Sequence, residues 1–322
     1  MHAVRIHEQG GVDVLRYEET EQPTPGAGEV VVKVAASGVN FIDIYQRSGV
    51  YSIPLPYTLG MEAAGTIASI GEGVTGFAEG DPVAFAMAPG SYAEYVKVAA
   101  AKAVPVPAGV DLKLAAAVML QGMTAHYLAY STFALKKGDV ALVHAAAGGV
   151  GLLLTQIAKK IGATVIGTVS TEEKAELARA AGADEVILYT KESFVDGVKR
   201  FTGGERIDVV YDSVGQSTFE GGLDLLRPRG TFVLFGQSSG VVPPFDLNVL
   251  NGKGSLFVTR PTLGHYILTR DELLWRSGDL FNWMAAGELD VRVDQALPLS
   301  QAAQAHELLN SRATSGKLIL IP

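Results

Sequence analysis

The sequence predicts an α/β protein in which a doubly wound parallel-sheet domain is inserted into a β-rich domain. Three observations point there. From Gly138 onward, apolar runs alternate with amphipathic stretches, as parallel strands covered on both faces by helices require. From Glu29 to about Val98 the chain instead shows brief apolar alternations broken by turns, which are strand signals of a compact sheet or partial barrel. After Pro261 the parallel pattern stops, and the last pieces are expected to return to the first domain. The chain has 322 residues, more than the roughly 250–300 that one hydrophobic core usually serves. The expected division is 1–123 together with 263–322, and 124–262 between them.

Each element has its own signal. The stretches "EVVVKVAASGV", "AAGTIASIGEGV", "EGDPVAFAM" and "SYAEYVKV" read as strands, with Pro82 suited to an edge or a strand start because it lacks a ladder donor. "DLKLAAAVMLQGMTAHYLAYSTF" is rich in strong helix formers and is expected to bridge the domains as helix. Then come the strand "GDVALVHA", a helix from Val150 to Lys160, the strand "ATVIGTVS" and the helix "TEEKAELARAAG". "DEVILY", "IDVVYDSV" and "GTFVLFG" continue as strands, separated by the helices "ESFVDGVKRFTG" and "STFEGGLDLL". A helix from Arg270 to about Ala286, the strand "VRVDQALPL", the helix "SQAAQAHELLNSR" and the strand "KLILIP" close the chain.

Composition excludes several function classes. The formal charge is −8, which argues against neutralising a nucleic-acid backbone or an anionic membrane surface. There is no cysteine, so neither a disulfide nor a thiolate nucleophile or metal ligand is available. No stretch approaches the ~18 uninterrupted apolar residues of a spanning helix, and the start lacks a cleavable leader pattern. A cytoplasmic location is therefore expected.

Ala146-Ala147-Gly148-Gly149-Val150-Gly151 fits the template A-x-G-x-x-G between a buried strand and a helix. In a nucleotide site Gly148 lets the backbone approach a pyrophosphate, Gly151 lets helix pack on strand, and the helix N-terminus presents N–H groups. Any tight strand-to-helix turn also favours glycine, so the surrounding βαβαβ run is what makes the reading specific. At the end of the next strand, where an NAD site commonly places an acid on the ribose, stand Val169-Ser170-Thr171. Without a carboxylate to repel a 2′-phosphate, and with Lys174 one turn on, NADPH is favoured over NADH. Ser170 and Glu173 also suit a capping box, with Ser170 as N-cap.

The whole chain resembles the medium-chain dehydrogenase/reductase superfamily, and within it the zinc-free, zeta-crystallin-like NADPH:quinone oxidoreductases. "GVNFIDIYQRSG", "HAAAGGVG", "VYDSVG", "FGQSSG" and "SRATSGKLILIP" carry the resemblance. It implies a Rossmann-type domain inserted into a GroES-like one. Zinc members of the superfamily place a Cys before a Thr/Ser-Asp, a Gly-His-Glu and a second Cys. Here stand Ser37-Gly38-Val39-Asn40, Gly60-Met61-Glu62 and Gln121-Gly122, and the structural-zinc lobe is reduced to "AMAPGSYAEY". Only Glu62 survives of that set, so metal catalysis is not expected.

The resemblance further implies that Asn40 and Tyr45 lie beside the nicotinamide and act on the cofactor or acceptor oxygen. As cofactor contacts it implies Tyr127, Gly149, Val150, Ser170, Lys174, Tyr189, Phe235, Phe257, Thr259 and Arg312, alongside Gly148. Tyr45 also suits a half-buried packing role, Tyr189 a strand-end one, and Arg312 a helix C-terminal cation. The expected activity is metal-free hydride transfer from NADPH to a quinone in an interdomain cleft. An NADPH-dependent reductase of α,β-unsaturated aldehydes or ketones needs the same geometry. An NADPH-binding structural or RNA-binding protein is the reading of another class, disfavoured by the acidic balance. Homodimerisation is implied through a sheet edge, for which "KGSLFVTRP" is the candidate strand.

Overall fold

The valine-rich strand β3 (Glu29–Val39) organises the first part of the structure, a computed structural model describing residues 1–322. The chain forms two units, Met1–Met123 with Tyr266–Pro322, and Thr124–His265.

In the first unit β1 (His2–Ile6), β2 (Arg16–Glu19) and β4 (Tyr57–Thr58) make a small sheet. Its outer strand β2 is almost wholly solvated, which is why apolar alternation does not announce it in the sequence. β3 pairs antiparallel with β5 (Glu62–Ile70), β7 (Tyr95–Ala99) and β16 (Lys317–Ile321). β6 (Pro82–Ala86), β8 (Val104–Pro105) and β15 (Val293–Pro298) complete a seven-stranded sheet. Pro82 opens β6, where a missing N–H costs no central ladder bond. The helices of this part are α1 (Phe41–Ser48), α2 (Leu112–Tyr127), α8 (Arg270–Ala285) and α9 (Ala302–Asn310). Val30, Val32, Ile67, Val83, Phe85 and Val96 form one core beneath the sheet, and Val4, Ile6, Leu59, Tyr92, Leu318 and Leu320 a second beside α9.

Register positions the chemistry. Leu318 of β16 faces Val39, so Lys317 falls level with Asn40 just past the end of β3. Ser37 faces Ala63 of β5, which brings Glu62 level with Gly38. Three strands distant in sequence therefore deliver their polar ends to one place.

The second unit runs β9 (Val140–His144), α3 (Gly149–Ile161), β10 (Thr164–Val169), α4 (Glu172–Ala180), β11 (Glu185–Leu188) and α5 (Phe194–Thr202). It continues through β12 (Ile207–Asp212), α6 (Phe219–Leu225), β13 (Leu226–Leu234), α7 (Asn248–Gly252) and β14 (Phe257–Thr259). The six strands are parallel in the order β11-β10-β9-β12-β13-β14. That order reverses direction at β9, the switch point outside which doubly wound sheets bind ligands. Leu142, Ile166, Ile187, Val210, Leu223 and Phe232 fill its core. α3 ends at Gly162, whose φ of 95° puts it in the left-handed region as a C-cap, and Lys159 and Lys160 sit in the last turn where the dipole favours cations. Phe257 lies on the edge strand and is 61% exposed.

Candidate active site

At the end of β3, Asn40 is 4% exposed and sits among buried polar groups of the first unit. Its Nδ2 donates to Glu62 Oε1 at 2.7 Å, while its Oδ1 accepts from Lys317 Nζ at 2.8 Å and from Gln121 Nε2 at 3.4 Å. Lys317 and Glu62 form a salt bridge with side chains 1% and 0% exposed. The other Glu62 oxygen accepts the Leu120 N–H at 2.5 Å. Gly38 is glycine because a Cβ there would overlap the Glu62 carboxylate and come within 2.7 Å of Lys317 Cε. Gly60 has a φ of 91°, and any side chain on it would meet Ser91 and Tyr92, so the turn leading into Met61-Glu62 also needs glycine.

A second buried set lies beneath α1. Asp43 Oδ2 accepts the Asn40 N–H at 2.8 Å and the Tyr92 hydroxyl at 3.0 Å, and that hydroxyl is 3.2 Å from His306 Nε2. Burial pushes the Asp43 carboxyl up to about 7, against the lowering effects of the Asn40 N–H, the Tyr92 hydroxyl and the Lys317 charge. Burial, reinforced by the Arg47 charge, pushes His306 down to about 3, so its ring is neutral. Tyr45, two residues beyond Asp43 on the same helix, is half-buried, with ring centroids 6.1 Å from Phe41 and 5.5 Å from Tyr51.

In the second unit the glycine loop joins β9 to α3. Gly148 is the N-cap of α3 and no side chain caps it, which leaves first-turn N–H groups to a ligand. A Cβ on Gly151 would run into the Ala145 carbonyl and lie 2.8 Å from the Ala146 backbone, and one on Gly148 would lie 3.1 Å from the same carbonyl. The left-handed residue of the loop is Ala145, with φ of 54°. Ala146 is fully buried, with its methyl 2.8 Å from where a side chain on Gly167 would begin. Alanine at the first template position thus fits because Gly167 makes room for it.

Beyond β10, Ser170 is half-buried and its carbonyl accepts the Thr190 hydroxyl at 2.8 Å. The capping assignment needs correction: Thr171, not Ser170, is the N-cap of α4, its hydroxyl accepting the Lys174 N–H at 3.4 Å. The chain still extends at Thr171, with φ of −134°, so the helix starts one residue later than the S-x-x-E spacing suggests. The Thr171 hydroxyl also holds the Glu173 carboxyl below its usual range. Tyr189 is 47% exposed just past β11.

The remaining sequence-derived positions are scattered. Phe235 follows β13, Phe257 and Thr259 bound β14, and Arg312 lies exposed after α9 with φ of 58°. Tyr127, at the end of α2, is 1% exposed and belongs to the packed interior. The sequence reading missed Lys317, Asp43, Tyr92 and His306. Lys317 had one signal, a lysine opening the apolar run "KLILIP", but its partner Glu62 is 255 residues away, beyond any local periodicity.

The positions where zinc members keep their ligands hold other chemistry. Ser37 Oγ donates to the Glu62 carbonyl at 2.9 Å and lies 2.7 Å from Ser91 Oγ, and Met61 Sδ takes the Gln46 amide at 3.5 Å. No group of three or more His, Cys, Asp or Glu side chains is placed to hold an ion. A catalytic zinc takes about three strong N, S or O ligands, and this set does not fit it. No helix is long and apolar enough to cross a membrane.

The parallel sheet with its glycine loop and the β-rich unit carrying a buried polar floor define a medium-chain dehydrogenase/reductase. Residues 26–108 match the alcohol dehydrogenase GroES-like domain, and residues 149–269 the zinc-binding dehydrogenase domain. The chain is 47% identical over 323 residues to quinone oxidoreductase 1 of Escherichia coli K12, covering 99% of each chain. It is 43% identical over 332 residues to 2-haloacrylate reductase of a Burkholderia species, covering 99% of this chain and 98% of that one. The crystal structure of Escherichia coli quinone oxidoreductase complexed with NADPH superposes with a TM-score of 0.98 at 46% identity, over 100% of both chains. The chain belongs to the quinone oxidoreductase family of the medium-chain dehydrogenases/reductases, and it is an oxidoreductase.

Proposed function

We propose that this protein reduces quinones with NADPH by metal-free hydride transfer. The observation that carries the reading is the end of β10: Ser170 and Thr171 occupy the place of a ribose-binding acid, on a chain 46% identical to a protein solved with NADPH. Gly148, Gly149 and Val150 would hold the pyrophosphate, Ser170 and Lys174 the 2′-phosphate, Tyr189 the adenine, and Arg312 a cofactor phosphate. Tyr127, Phe235, Phe257 and Thr259 are assigned to the remaining contacts. Asn40 and Tyr45 belong at the reacting end.

When bound, NADPH supplies a hydride. The protein's task is then to orient an electron-poor acceptor, exclude water and stabilise the developing oxyanion, for which a preorganised N–H of Asn40 is suited. The Tyr45 hydroxyl is the candidate proton source for that oxygen. Quinones and conjugated carbonyls meet the same electronic requirement, and the Burkholderia relative named for 2-haloacrylate supports a second reading, reduction of activated alkenes.

The test is turnover of the purified protein with a panel of quinones and enones, followed at the nicotinamide absorbance with NADPH and NADH. Quinone turnover with a clear NADPH preference is expected. Turnover of enones alone would establish the second reading, and no NADPH oxidation by any acceptor would overturn both. We also propose a homodimer through the β14 edge, where Phe257 is 61% exposed. Light scattering showing a monomer at assay concentration would remove that proposal.

A further inference from the structure

The hydrogen-bonding capacity of the Asn40 carboxamide is almost fully engaged inside the first unit. Both lone pairs of Oδ1 face donors, Lys317 Nζ at 2.8 Å and Gln121 Nε2 at 3.4 Å. One Nδ2 hydrogen goes to Glu62 Oε1 at 2.7 Å, and the other has only a long contact with the Gly38 carbonyl at 3.5 Å. A carboxamide can ordinarily turn over and exchange its oxygen and nitrogen. Here the exchange would set NH₂ against an ammonium and oxygen against a carboxylate, both out of reach of solvent.

We infer that the buried Lys317–Glu62 ion pair is a positioning device that freezes the polarity of Asn40, so that this residue can offer a ligand only an N–H and never an oxygen. The inference rests on the reading of Asn40 as a contact of the reacting groups. Stability alone is a weak reason for such a pair, since well-packed apolar replacements of buried ion pairs are often neutral or stabilising. Orientation is the stronger one. The weakly engaged Nδ2 hydrogen is the one donor left for an oxygen gaining negative charge, and a donor already fixed in place costs no reorganisation during the reaction. The substrate consequence is that this site favours acceptors whose oxygen becomes an oxyanion over ligands that present a donor to Asn40.

Three variants of the full-length protein test it: Lys317→Met, Glu62→Gln and the double variant. Each is assayed with NADPH and 1,4-benzoquinone beside the wild type, together with its thermal midpoint and NADPH dissociation constant. Each single variant strands a charge or removes its partner, and should lose both stability and turnover. The double variant contains no unpaired charge and should regain most of the thermal midpoint and bind NADPH as the wild type does. Its kcat should nevertheless stay about 100-fold low, the scale of a displaced oxyanion donor. Recovery of kcat along with the midpoint would overturn the inference, because a purely structural pair predicts that recovery. A second measurement needs neither folded variants nor turnover: in wild-type protein labelled with ¹⁵N-asparagine, the Asn40 side-chain NH₂ should exchange far more slowly with solvent than exposed asparagine amides. Fast exchange overturns the inference. Protected exchange without quinone turnover overturns the functional reading and leaves the polarity lock standing.

Discussion

Around Asn40, side chains from four separate stretches of the chain close a buried hydrogen-bonded set, whereas the glycine loop and the β10 end proposed to meet the nucleotide lie on one continuous βαβαβ segment between His144 and Tyr189. The first region fixes its chemistry by charge in a solvent-free interior, where losing one partner exposes the full desolvation cost of the other. The second fixes it by backbone shape, with half-exposed side chains added at the rim. Failure should accordingly be abrupt in the first region and graded in the second.

The largest expected effect comes from Lys317→Met, which leaves the Glu62 carboxylate buried without its cation. Chemical denaturation should show a loss of about 3–5 kcal/mol; a loss under about 1 kcal/mol would place the pair among solvent-screened bridges. Next is Gly151→Ala, whose methyl must push against the Ala145 and Ala146 backbone. A destabilisation of about 1–3 kcal/mol is expected, together with NADPH affinity weakened at least about tenfold, as measured by fluorescence titration. An unchanged dissociation constant would detach the loop from nucleotide binding.

Lys174→Ala should be milder. Loss of one charge-assisted hydrogen bond at a half-exposed site raises the KM for NADPH by about tenfold, with the KM for NADH nearly unmoved. Equal changes for both cofactors would locate Lys174 away from the 2′-phosphate.

The second buried set of the first unit predicts a pH slope. Asp43 is raised from 3.8 to about 7 when folded, so the folded state keeps a proton that the unfolded chain releases, and this group's contribution falls as pH rises from about 4 to 7. His306 is lowered from 6.5 to about 3, so its contribution is present above 6.5 and falls as pH drops toward 3. Between them folded and unfolded states each hold one proton, and the slopes oppose. Asp43→Asn should expose a loss of stability on acidification, and His306→Gln a gain, each at most about 1.4 kcal/mol per pH unit. Denaturation midpoints moving in the same direction in both variants would contradict the paired burial of these groups.

Legibility in the sequence followed the range of the interactions. The parallel strands were visible because burial on both faces leaves continuous apolar runs such as "VALVH" and "TVIGTV", and the glycine loop because its spacing is set within one turn. The N-cap of α4 was misplaced by one residue, since Ser170 and Thr171 have equal capping chemistry and only the backbone angle at Thr171 decides between them. β2 escaped notice because its side chains face water. Lys317 and His306 looked like ordinary polar residues of a strand and a helix, although both are essentially buried.

The sequence by itself determined the alternation of strands and helices from β9 to β13, the glycine turn at the head of α3, the lack of thiol ligands and the missing acid after β10. Each of these depends on neighbours within about one βα unit, where spacing and residue type carry the physics. Tertiary structure alone decided that Lys317 lies level with Asn40, that Glu62 lies level with Gly38, and that a carboxamide is held between opposite charges. Those outcomes depend on the register of strands far apart in the chain, and electrostatic partnership in a dry interior is a property of distance in space rather than along the sequence.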